Sequence, residues 1–176
     1  MLLLLFITID SLDAQRRRSR RTNQDTEEKL SFADRINYEI RLGSIAFGSG
    51  FSIGTKPSVG YKLNDLITLG GHFRIDYEFV NNFNFQDISL FSYGPGLMAR
   101  GKFMKSYYLQ AEYTFFNFEN INETRFNRSF PALGVGWVQG GDNWKFNVEL
   151  MLLLDDITRD YYNRTVDFWF SFSKNF

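Results

Sequence analysis

The chain has 176 residues, Lys+Arg 20 balanced by Asp+Glu 20, no cysteine, and 18% aromatic residues with Phe 20 and Tyr 9. That length suits one domain with a complete core, and the balanced charge gives no electrostatic ground for a nucleic-acid partner. Without thiols there are no disulfides, thiolate metal sites, cysteine nucleophiles or lipidated cysteine, and the aromatic excess requires either a large aromatic core or a lipid-facing surface.

Residues 1–14 open with an apolar run, Leu2 to Ile9, too short to cross a bilayer as a helix. Ser11, Asp13 and Ala14 follow as a cleavage-like stretch, so the segment reads as a secretory signal. Arg16, Arg17, Arg18, Arg20 and Arg21 come directly after it, where signals usually avoid positive charge. Residues 15–31 are polar, with Asp25, Glu27 and Glu28 behind the arginines, and read as a solvated tail.

From Phe32 to Phe176, apolar residues recur at every second position, the period of a strand with two unlike faces. The first strand is expected at Ile36 to Phe47, with Tyr38, Ile40 and Leu42 opposite Asn37, Glu39 and Arg41. Its phase slips at Gly43-Ser44, as a β-bulge would make it do. The second sets Phe51, Ile53, Val59 and Tyr61 against Gly54, Lys56, Ser58 and Lys62, and the third sets Phe73, Ile75 and Tyr77 against His72, Arg74, Asp76 and Glu78. The fourth opposes Phe91, Tyr93, Leu97 and Phe103 to Gly94, Gly96, Arg100 and Lys102, with Pro95 expected to weaken it locally. Tyr107, Leu109, Tyr113 and Phe115 oppose Gln110, Glu112 and Thr114 in the fifth, and Leu133, Val135 and Trp137 oppose Gly134 and Gly136 in the sixth. The seventh has Trp144, Phe146, Val148 and Leu150 against Lys145, Asn147 and Glu149, and the eighth has Phe168, Phe170, Phe172 and Phe176 against Asp167, Trp169 and Ser171.

Eight strands alternate short turns with longer polar loops. Asn64-Asp65, Lys105-Ser106 and Gly140 to Asn143 are tight, whereas Asn81 to Asp87, Glu119 to Ser129 and Asp155 to Thr165 are long; Gly48 to Gly50 is short within the second set. This asymmetry predicts an all-β, eight-stranded antiparallel up-and-down transmembrane barrel over residues 32–176, with short turns and both termini on the periplasmic side. Periodicity alone leaves the faces open, but an eight-stranded interior is too narrow for four or five large apolar side chains from nearly every strand. The greasy stripe is therefore expected outside, around a polar, side-chain-filled lumen. An ion-pair cluster of His72, Arg74, Asp76, Glu78, Arg100, Lys102, Glu112, Lys145, Glu149 and Asp167 is expected within it.

The last strand, Val166 to Phe176, ends on an aromatic residue and resembles the terminal strand of bacterial outer-membrane barrels. With the aromatic repeats at Phe91 to Leu97 and Phe130 to Gly136, the chain resembles small eight-stranded barrels of Bacteroidota type, similar in architecture to OmpX and the OmpA barrel. That resemblance implies contact with outer-membrane lipid, recognition of a lipid-facing strand carrying Phe168, Phe170, Phe172 and Phe176 by the barrel assembly machinery, and location in the outer membrane.

Chemistry is sparse. His72, the single histidine, shares a face with Asp76 and Glu78 but is expected to be structural, and Asp155, Asp156 and Asp160 lack the spacing of a calcium loop. No catalytic, cofactor or metal site is expected. A structural or interaction role without an open pore is the leading expectation, with a protein partner meeting loop aromatics Phe83, Phe85 and Phe126. A soluble or periplasmic lipocalin-like barrel binding a small apolar ligand is the second reading, and an outer-membrane enzyme the third.

Overall fold

Residues 31–47, 50–80, 87–121, 124–141, 144–174 and 176 are described by the computed structural model of the chain. The signal-like residues 1–14, the tail up to residue 30, and Phe83 and Phe85 lie outside them. A one-turn helix, α1 (Phe32–Arg35), leads into β1 (Ile36–Phe47), and the chain then runs through β2 (Gly50–Lys62), β3 (Ile67–Val80), β4 (Ile88–Met104), β5 (Tyr107–Glu119), β6 (Arg125–Gly140) and β7 (Trp144–Leu153). A second helix, α2 (Asp156–Tyr162), precedes β8 (Val166–Lys174).

Each strand pairs antiparallel with its neighbour, and β1 also pairs with β8, so the sheet closes on itself. Closure leaves no strand edge, and every backbone ladder is internal. The slip expected at Gly43-Ser44 is present: the β1–β2 register shifts between Gly43 and Ala46, with Ser44 left-handed at φ 55. Pro57 and Pro95 lack an N–H and stand where the β2–β3 and β4–β5 pairings are interrupted, although both strands continue through them.

The outer face is apolar. Leu97 is 63% exposed and Ile40 59%, and Val59, Leu133 and Leu150 complete a mid-height band with them. Aromatic pairs sit above and below it, Phe47 with Phe51 and Phe91 with Tyr93 near the loops, and Phe32 with Tyr61 and Phe103 with Tyr107 near the turns. Phe73 and Tyr113 point outward while Arg74 and Glu112 are buried, the inverse of a lipocalin-type interior.

Three expectations need correction. Glu119 to Ser129 is not one long loop, because β6 begins at Arg125 and continues pairing with β5 as far as Glu119. Asp155 to Thr165 contains α2, started by Asp155 as N-cap and ended by left-handed Asn163. Phe176 does not face lipid: β8 ends at Lys174, so the two-residue alternation no longer governs the terminal ring, which is 6% exposed and packs on Tyr108 at 5.1 Å. Phe168 and Phe172 are exposed as expected, and Phe170 is half-buried.

Candidate functional site

Among the described residues the lumen holds most of the buried charge, and it divides into two layers. In the half nearer the turns, Arg41 from β1 reaches Glu112 on β5 and Glu149 on β7, the latter at 3.2 Å. Lys56 adds a contact to Glu112 at 2.9 Å, and Arg100 joins Glu39 at 2.7 Å to Glu149 at 3.0 Å. Neutral donors complete the shells of these carboxylates: Tyr108 donates to Glu149 at 2.6 Å, Asn147 to Glu39 at 3.0 Å, and Gln110 to Glu112 at 2.7 Å. Buried charges are tolerable only when paired and hydrogen-bonded in this way. Gly136 makes room for the Tyr108 ring, since a Cβ there would lie 2.1 Å from its Cζ.

In the half nearer the loops, Arg74 bridges Asp76 at 2.8 Å and Asp167 at 2.9 Å. Its guanidinium stands over four rings, 4.9 Å from Tyr162, 5.1 Å from Trp169, 5.5 Å from Phe116 and 5.8 Å from Phe130. Around it packs an apolar core of Phe116, Phe118, Phe130, Met151, Leu153 and Trp169. The lumen is therefore not filled by small and charged residues alone, as the strand pattern implied. An aromatic layer stops it on the loop side.

Of the ten residues expected to form one cluster, six belong to these two ion-paired layers: Arg100, Glu112 and Glu149 in the first, Arg74, Asp76 and Asp167 in the second. Four do not. His72 contacts Thr114 at 3.1 Å through Nε2 and hydrogen-bonds neither Asp76 nor Glu78, so the expected acid-base neighbours are not brought together. Lys102 lies over the Phe176 ring at 4.6 Å, and Glu78 and Lys145 make no ion pair among the described residues. Lys102, Lys145 and Glu78 are near strand ends, and all three are half-buried. Sequence reasoning missed Arg41, Glu39 and Tyr108 as members, although the period of two already put Glu39 and Arg41 on the lumen face.

Over the loop-side mouth lies α2. Asp155 caps it by accepting from the Thr158 backbone N–H at 2.9 Å and the Thr158 hydroxyl at 2.8 Å, and Arg128 of β6 pairs with the same carboxylate. Tyr161 packs on Phe118 at 4.6 Å and donates to the Glu119 carbonyl at 2.7 Å, while Tyr162 donates to Asp76. Burial holds the Tyr162 phenol protonated, well above its ordinary range. Phe126 stacks on Phe118 at 5.1 Å and is half-buried, so it is not the expected projecting loop aromatic. Asp155, Asp156 and Asp160 do not converge on a cation, and no group of three such ligands occurs among the described residues.

The hydrogen bond from Arg128 holds the Asp155 carboxyl at about 2, below its usual value of 3.8. A depressed carboxyl contributes stability that is complete above its unfolded value and disappears as pH falls through the folded one. Protease protection of the 154–165 segment is therefore expected to hold down to about pH 4 and fail on the way to pH 2. Asp155→Ala should cost about 1 kcal/mol and flatten that transition; protection unchanged in the variant at neutral pH would show that the cap does not order the loop.

No protein-family model and no curated protein matches the chain. Among solved structures it is similar to the N-terminal β-barrel domain of Pseudomonas aeruginosa OprF, with TM-score 0.48 and 13% identity over 80% of this chain and 96% of that one. A de novo designed transmembrane β-barrel gives TM-score 0.41 and 12% identity over 79% and 92%, and the designed barrel TMB2.3 gives 0.39 and 15% over 79% and 91%.

Proposed function

We propose that this chain is an integral outer-membrane β-barrel with a structural or interaction role and a lumen closed to conduction. One observation carries the reading: the apolar and polar faces are inverted relative to a water-soluble barrel. A belt of exposed Leu, Ile, Val, Phe and Tyr encircles the molecule, bounded by aromatic pairs at both heights, far beyond the scattered apolar exposure of a soluble monomer. Inside, Arg41, Arg100 and Lys56 are neutralised across the lumen, and the buried rings of Phe116, Phe130 and Trp169 pack together in its loop-side half.

Within that reading, β8 presents Phe168 and Phe172 to lipid and is the strand that the barrel assembly machinery would engage, without Phe176 contributing an outward ring. The Bacteroidota and OmpX-like assignment and an external protein partner at the loop end belong to the same proposal. No catalytic role is assigned to His72.

Leu97→Arg tests the placement directly, because Leu97 lies near the middle of β4 on the outer face. In a bilayer the substitution is expected to destabilise the barrel by about 2–4 kcal/mol. In a protein whose outer wall meets water, the same arginine would be almost without effect. Cell fractionation gives the companion readout: a detergent-requiring band whose migration changes on heating is expected, and a freely soluble monomer would overturn the assignment.

A further inference from the structure

Beneath α2, a cavity of about 70 Å³ opens between β2, β3, β4 and the chain leading into β8. It has room for roughly five water-sized groups. Ser52, Glu78, Ser92, Tyr161 and Arg164 line it together with the apolar Ile53 and Leu90, so the outer end of the lumen holds a chamber with mixed polar and apolar walls.

The chamber's groups are unequally committed. Arg164 pairs with Asp167 at 3.2 Å and donates to Ser44, and Asp76 accepts from Arg74 and Tyr162. Tyr161 and Ser52 have given their hydrogens to the Glu119 and Ser44 carbonyls, while Ser92 already accepts from the Glu119 backbone N–H at 3.0 Å and lies 3.4 Å from the Tyr161 hydroxyl, so each of the three oxygens keeps at most one acceptor position. Glu78 has neither hydrogen bond nor ion pair with any described residue. Among the described residues, Asp76 and Glu78 line the chamber with Arg164, and Asp167 and Arg74 stand behind them, so the five groups carry one net negative charge, with Arg164 as the cation nearest in effect to Glu78.

The β1 bulge holds this arrangement. Ser44 takes a left-handed conformation at the β1 bulge, a cost that only the surrounding contacts sustain, and its hydroxyl accepts from both Arg74 and Arg164. The two cations are thereby held to one side. What remains is a pocket with several acceptor oxygens and, among the described residues, one carboxylate, Glu78, without a hydrogen bond or ion pair.

We propose that this cavity is a binding site for a small organic ammonium ion, with Glu78 as its counter-ion and the Ser52, Ser92 and Tyr161 oxygens taking its remaining hydrogens. An ammonium group has three donors and no acceptor, which matches that set. A divalent metal does not fit, because only one carboxylate is uncommitted and hard divalent cations need several oxygen ligands.

The test is titration of the full folded barrel, in detergent, with methylammonium and ethanolammonium chloride, followed by thermal unfolding and ligand-observed magnetic resonance. Saturable binding of either ion is expected, absent for sodium chloride at equal strength, and weakened roughly tenfold or more in Glu78→Gln, which keeps size and removes the charge. Ser92→Leu, which fills the chamber from β4, should abolish binding; if that variant does not fold, Ser52→Val supplies the same obstruction from β2. Displacement of methylammonium by phosphatidylethanolamine vesicles but not by phosphatidylglycerol vesicles would place the source in a lipid headgroup, and displacement by neither, a free amine. No saturable binding in the unsubstituted chain, or equal binding in Glu78→Gln, overturns the site. Binding is read on the folded barrel, so failure here leaves the membrane placement untouched.

Discussion

Replacing Arg41 with Met is expected to destabilise the barrel by about 3–5 kcal/mol, the cost of breaking a buried ion network from one side. The Arg41 side chain is fully buried, and its removal takes a partner at once from Glu112 and from Glu149. Lys56 and Arg100 then hold those carboxylates alone, leaving an unbalanced negative charge in a space with little water. Because the cost arises from imbalance, Arg41→Met combined with Glu149→Gln should recover a sizeable part of it. Glutamine still accepts from Tyr108 and Arg100 at Oε1. Urea unfolding of both single variants and the pair in detergent gives the coupling energy, and strictly additive losses, or an Arg41→Met cost below about 1 kcal/mol, would show that the layer is solvated.

Trp169→Ala is the second large effect, expected at about 3–5 kcal/mol. Trp169 is 0% exposed, sits in the aromatic layer, and offers its ring to Lys56 at 4.0 Å and Arg74 at 5.1 Å, so truncation opens a void and removes the ring under Lys56 and one of the four around Arg74. Its indole N–H has no hydrogen-bond partner among the described residues, which gives the matching control. Trp169→Phe loses some volume but also removes an unsatisfied donor, and should cost markedly less than Ala. If Phe were as damaging as Ala, ring packing would not be what holds this layer. Truncation is also expected to admit water into the loop-side half, detectable as faster hydrogen exchange at Gly54, against which the ring packs.

The architecture was legible because β-strands with unlike faces write a period of two into the chain, and this one sustains it across eight elements. Even the bounds of β1 and the bulge at Gly43-Ser44 could be read, since an extra residue beside a glycine shifts the alternation by one and leaves a mark in the pattern. What escaped was the content of the loop-side lumen. In Phe115, Phe116 and Phe118 both faces of β5 become aromatic, the contrast between alternate positions vanishes, and inward Phe116 and Phe118 cannot be told from an outward girdle. Phe176 was misassigned because alternation stops where pairing stops. Asp155 and Asn163 bracket α2 with recognisable cap residues, a signal that was there to be used. Ion-pair partners were the least accessible, because whether Arg100 meets Glu39 depends on register and closure around the whole ring, and spacing along the chain encodes neither.

That long reach has a consequence for biogenesis. Arg41 finds Glu112 and Glu149 at separations of 71 and 108 residues, and its one ion-pair partner within its own strand among the described residues, Glu39 at 3.8 Å, is shared with the distant Arg100. A strand-by-strand entry into hydrocarbon would carry bare guanidinium and carboxylate groups through oil before their counterparts arrived. On the proposed membrane placement, the less costly route keeps the nascent sheet curled around water until β8 meets β1 and only then expels the solvent, which would make insertion concerted and the final seam its committing event.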